Sequence, residues 1–98
     1  MKYRFADCEI DLGAHVLRRA GDAVHVEPQV FDLLTVLAGA GGDLVGHDDL
    51  IARVWQGRIV SDATLAARIS AARAAVGDDG KRQAVIRTVP RRGIQSGR

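Results

Sequence analysis

The chain has 98 residues, 47% hydrophobic and 27% charged, with four aromatic side chains and one cysteine, the balance of an ordinary globular domain. Cys8 alone forms no internal bridge, no stretch reaches the roughly 18 apolar residues of a spanning helix, and the start Met1-Lys2-Tyr3-Arg4-Phe5-Ala6-Asp7 lacks the apolar core of a signal peptide, so a disulfide scaffold, a membrane span and secretion are all disfavoured. The formal charge of +2 conceals a division: residues 1–52 carry four basic side chains against nine carboxylates, a balance of −5, whereas residues 53–98 carry ten against three, a balance of +7.

Residues 3–27 read as four short antiparallel strands. Tyr3 and Phe5, then Cys8, Ile10 and Leu12, alternate with polar neighbours, the period of a sheet wet on one face. Gly13-Ala14 breaks the run, His15 to Arg19 forms a third strand, and Ala20-Gly21-Asp22 leads into Val24 and Val26. Pro28 suits a first helical turn, where its missing N–H costs nothing, and Val30, Leu33, Leu34 and Leu37 follow at helical spacing, predicting a helix over about 28–38. Gly39, Gly41 and Gly42 end it, and a second helix is expected over about 47–55. Ser61 caps a third, 62–76, whose buried stripe is Leu65, Ile69, Ala72 and Val76, with Gly77 as its stop. A hairpin over about 83–97, turning at Pro90-Arg91-Arg92-Gly93, closes the chain. The expectation is one α+β domain over 1–98: a four-stranded sheet, three helices and a C-terminal β-hairpin.

Two short helices followed by a basic hairpin make a winged helix-turn-helix. Twelve of the fourteen basic residues are Arg, whose planar fork matches phosphate oxygens and guanine edges. The +7 half therefore points to a polyanion. On charge alone, a merely solvated basic surface is an equal alternative.

Several motifs occur in order: Glu27-Pro28-Gln29-Val30-Phe31-Asp32-Leu33-Leu34, Asp49-Leu50-Ile51-Ala52-Arg53-Val54-Trp55, Val60-Ser61-Asp62-Ala63-Thr64-Leu65, Arg73-Ala74-Ala75-Val76-Gly77-Asp78 and Ile86-Arg87-Thr88-Val89-Pro90-Arg91-Arg92-Gly93. Together they closely resemble the OmpR/PhoB-type effector domain of bacterial transcriptional regulators, over about residues 3–93. The resemblance implies a cytoplasmic, nucleoid-associated regulator that binds double-stranded DNA as tandem head-to-tail copies on direct repeats, with the third helix in the major groove and the wing on the backbone or minor groove. It assigns Thr64 to phosphate, Arg68 to a base-facing position, Arg73 to the backbone, and Thr88, Arg91 and Arg92 to the wing. Ala67 and Ala71 fall on the face that reads DNA. The loop Gln56, Gly57, Arg58 is where the family can touch RNA polymerase.

Two departures stand out. The outward face of the third helix is Ala63, Ala67, Ser70, Ala71 and Ala74, which predicts weak base readout and affinity dominated by backbone contacts and DNA shape. The chain also ends Gly93-Ile94-Gln95-Ser96-Gly97-Arg98, without the aromatic residues usual in that strand. Arg73 has an alternative use, pairing with a carboxylate inside the protein, and the alanine face leaves open a winged-helix module that binds protein after losing DNA. No cofactor, metal or catalytic activity is expected: His15, His25 and His47 lack partners at ligand spacing, and Ser61 has neither a nucleophile elbow nor a base.

Overall fold

The computed structural model describes residues 1–5 and 7–96, with the backbone alone at Phe5; the expectations for the Phe5 side chain and Gly97 lie outside the described residues. Strands β1 (Lys2–Phe5), β2 (Cys8–Asp11), β3 (Val16–Arg19) and β4 (Asp22–Val24) form an antiparallel sheet in that order. Register aligns Tyr3, Ile10, Leu17 and Val24 in one row across the sheet, and Ile10 and Leu17 are fully buried. Alternation puts Arg4, Glu9 and Arg18 on the opposite face, where Arg4 pairs with Glu9 at 3.7 Å and Arg18 with Asp11 at 3.8 Å. These pairs, each of a solvent-exposed arginine side chain with a half-buried carboxylate, contribute little stability individually. Strand β3 starts one residue later than alternation predicts, because His15 adopts a φ of +55° and its ring stacks on Phe31 with centroids 4.0 Å apart.

Helix α1 (Pro28–Gly39) buries Val30, Phe31, Leu33, Leu34 and Leu37. Beyond it the structure holds an element that hydrophobic periodicity does not announce. Two residues, β5 (Val45–Gly46), pair with the last strand of the chain, and α2 (His47–Val54) follows at once. Helix α2 stops before Trp55 because Gln56 and Gly57 take positive φ values; Trp55 itself is buried. Helix α3 (Asp62–Ala75) starts at Ser61, whose hydroxyl accepts the Thr64 N–H at 3.1 Å. It ends in a Schellman turn. Gly77, at φ +75°, donates to the Ala74 carbonyl and Asp78 to that of Arg73. Arg19 reaches over from the sheet to the Ala74 and Ala75 carbonyls at 3.5 and 3.4 Å, a cation placed on the negative end of the helix.

The hairpin consists of β6 (Ile86–Val89) and β7 (Gly93–Ser96), and the second sheet runs β5-β7-β6. Pairing starts at Ile86 instead of Gln83, and the reason is Asp78. Its buried carboxylate accepts the N–H groups of Ala84, Val85 and Ile86 at 2.9, 2.9 and 3.0 Å, so those of Ala84 and Val85 are held out of the ladder and pairing begins at Ile86. Gly93 stands opposite Gly46, and a Cβ there would overlap the Val45 carbonyl, so β5 and β7 pack at a distance only glycine allows. Ile86 and Ile94 complete a core continuous with α1, α2 and the inner face of the first sheet. Cys8 belongs to that core. Burial, then the hydrogen bond and charge of Asp7, push its thiol up to about 11, so it is a protonated core residue and not a nucleophile.

Candidate nucleic-acid interface

The features above place α3 beside the hairpin with its outward face clear of the rest of the fold. Ala63, Ala66, Ala67, Ser70, Ala71 and Ala74 are all exposed. This face is smooth, and Ser70 carries its one side-chain hydrogen-bonding group. Thr64, half-buried, is already engaged: its hydroxyl accepts from Ser61 Oγ at 2.9 Å.

The two arginines flanking the buried stripe have different surroundings. Arg68 is half-buried, and its Nε donates to Gln29 Oε1 on the first turn of α1 at 3.0 Å. Arg73 is 8% exposed; its Nε donates to the Ile86 carbonyl at 3.2 Å and its Nη2 to the Thr88 hydroxyl. Two residues assigned separately to DNA are thus bound to each other, and Arg73 is a brace between helix and wing. A cation with its stem in the core and its head spent on internal acceptors has little left for a phosphate. The internal alternative expected from sequence is a carboxylate, whereas the acceptors are a carbonyl and a hydroxyl that lie 13 and 15 residues downstream and carry no local signal.

Arg91 and Arg92 are exposed on the wing turn, where Arg91 has φ +65° and the Arg92 N–H closes the turn on the Val89 carbonyl at 3.0 Å. Arg87, exposed on β6, adds a cation that alternation on the strand reveals but the motif assignment passes over. Among the described residues, ion pairs are formed by Arg4, Arg18 and Arg82, so Arg68, Arg87, Arg91 and Arg92 have no carboxylate within 4 Å. Asp48 and Asp49 nevertheless line a cleft with Arg91 and Arg92 and temper the positive field on that side. The connection between α2 and α3 places Gln56, Gly57 and Arg58 in the open, with Ile59 fully exposed at 103% and Val60 tucked against the core. Among the described residues no group of three or more His, Cys, Asp or Glu is arranged to hold a metal ion, and no helix is long and apolar enough to cross a membrane.

Comparison with known proteins agrees with this architecture. The chain is 34% identical over 93 residues to the DNA-binding response regulator MtrA of Mycobacterium tuberculosis, covering 94% of this chain and 41% of the relative. It is 35% identical over 80 residues to the transcriptional activator CadC of Escherichia coli, covering 81% of this chain and 16% of the relative. The chain therefore spans about two fifths, or less, of these curated relatives. Among solved structures, the response regulator DrrB of Thermotoga maritima, an OmpR/PhoB homologue, superposes with a TM-score of 0.87 at 27% identity over 99% of this chain and 44% of that one. The Klebsiella pneumoniae RstA DNA-binding domain, solved with its RstA box, superposes with a TM-score of 0.87 at 23% identity over 98% and 96% of the two chains, and shows the shared fold. The family description "Transcriptional regulatory protein, C terminal" matches residues 21–95, and the chain belongs to this family of OmpR/PhoB-type winged-helix domains.

Proposed function

We propose that this chain binds double-stranded DNA as the recognition domain of a bacterial transcriptional regulator, with α3 in the major groove and the wing on the backbone or minor groove. The observation that carries the reading is the distribution of cations that have no carboxylate partner among the described residues, Arg68 on α3 and Arg87, Arg91 and Arg92 on the wing, around an exposed outward helix face. Relatives named as DNA-binding support it. The domain acts by binding and not by catalysis, in the cytoplasm and on the nucleoid. Backbone contacts and DNA shape supply most of the affinity, since Ala67 and Ala71 can pack on thymine methyls but form no hydrogen bonds. Thr64 stands at the helix start, where its hydroxyl, accepting from Ser61 Oγ, keeps its own proton to donate to a phosphate. Two copies stack head to tail on direct repeats, and Gln56, Gly57 and Arg58, beside the exposed Ile59, form the surface offered to RNA polymerase.

Fluorescence anisotropy on duplex DNA at about 50 and 200 mM salt tests the reading. With Arg68 facing a base, the three wing arginines that neutralise phosphates give a slope near −2.7, so affinity should fall on the order of 40-fold across that range. Absence of binding at low salt would transfer the alanine face to the competing reading, a winged helix that docks protein.

A further inference from the structure

We infer that Gln29, on α1, is a positioning residue for base recognition: it orients Arg68 so that a single guanidinium fork carries the hydrogen-bonded part of sequence readout. The inference rests on the DNA reading above and deepens it. It starts from the bond between Gln29 Oε1 and Arg68 Nε, 3.0 Å long and partly buried, joining residues 39 apart in sequence. Gln29 is the second residue of α1, directly after Pro28, whose fixed φ makes this a rigid place to mount an acceptor. An arginine has five donors in a planar fork. With Nε–H committed sideways to Gln29, the end-on Nη1/Nη2 edge remains, and that pair is what meets guanine O6 and N7 bidentately.

No other long polar side chain stands on the outward face to substitute for it. The outward face is alanine apart from the Ser70 hydroxyl, the Thr64 hydroxyl is bonded to Ser61, and Arg73 is spent on Ile86 and Thr88. Discrimination by hydrogen bonds therefore concentrates at one base pair, whereas a face of several long polar side chains would spread it over many. A single long side chain reads a base well only if its rotamer is selected beforehand, because an unrestrained arginine loses much rotamer freedom on binding. Without the Gln29 acceptor the guanidinium is released into a groove that Glu27 also lines, and a carboxylate there competes for the same fork.

The test uses a duplex recovered by in vitro selection with the full chain, and the same duplex with each guanine in turn replaced by 7-deazaguanine, which removes the N7 acceptor. The wild-type chain should lose about tenfold in affinity at one guanine and little at the others. Gln29→Ala should reduce that one penalty below about threefold while the thermal midpoint stays close to wild type. Gln29→Glu, whose carboxylate competes for the fork as that of Glu27 does, should not restore it. Arg68→Ala should abolish the penalty, and adding Gln29→Ala to it should change the ratio no further. A full penalty in Gln29→Ala, an equal weakening on every duplex, or no guanine sensitive to the substitution in the wild type would each overturn the inference while leaving DNA binding intact. Failure to bind any duplex at low salt would instead overturn the proposed function, and this inference with it.

Discussion

Replacing Asp78 with alanine is expected to lower the stability of the fold by about 3 kcal/mol, since the buried N–H of Ile86 and the partly buried ones of Ala84 and Val85 lose their acceptor together, at about 1–3 kcal/mol for a buried group left unpaired and less for the other two. For a domain of this size that is a drop of roughly 12 °C or more in thermal midpoint, readable by circular dichroism or calorimetry. Asp78 occupies the position where the Schellman turn of α3 hands over to the wing, and its carboxylate organises Ala84, Val85 and Ile86. Burial alone would raise its carboxyl. The N–H groups of Ile86, Ala84 and Val85, with that of Asp79, outweigh burial and hold it well below the usual carboxylate range. Because the folded value is depressed, the stabilisation is fully present above the ordinary value near pH 4 (~3.9) and is lost as pH falls through the folded one. Asp78→Asn should therefore start less stable at neutral pH and lose less than the wild type between about pH 5 and pH 2. Wild-type stability at neutral pH in Asp78→Ala would show that the loop is held by something else.

The double variant Arg91→Ala/Arg92→Ala should weaken binding to all duplexes alike, by about tenfold or more at low salt, and flatten the salt slope by about 2. Both side chains are exposed on a turn pinned by the Arg92 N–H and by the close approach of Gly93 to Val45, so alanine removes charge without disturbing packing. The uniformity matters as much as the size: contacts to phosphate position a protein without reading sequence. An unchanged slope would remove the wing from the interface. A loss confined to one sequence would make the wing a reader of bases.

What the chain reveals in one dimension is local chemistry. Pro28, the Ser61-Asp62 start and the Gly77 stop bound α1 and α3 to within a residue or so because capping uses neighbours only, and the stripe Leu65, Ile69, Ala72, Val76 is buried as its period requires. Features decided by distant partners are hidden. Strand β5 has two residues, too few for alternation, and exists because β7 passes beside it. Gln83 reads as strand yet takes φ +43°, and its side-chain oxygen accepts the Thr88 N–H at 2.9 Å. The candidate site divides along the same line. That Arg91 and Arg92 project from an open turn is legible from Pro90 and Gly93, whereas the partners of Arg68 and Arg73, which separate a residue free to present a fork from one locked to the wing, emerge only when α1 and β6 are packed against α3.

A titration of the 15N-labelled chain with a selected duplex, followed by amide chemical shifts, tests whether the face made of α3 and the wing meets DNA. Perturbations are expected to concentrate in residues 62–75 and 86–93, with β2 and β3 of the N-terminal sheet little changed. Perturbations centred on that sheet, or none at saturating low-salt DNA, would rule this face out as the DNA surface.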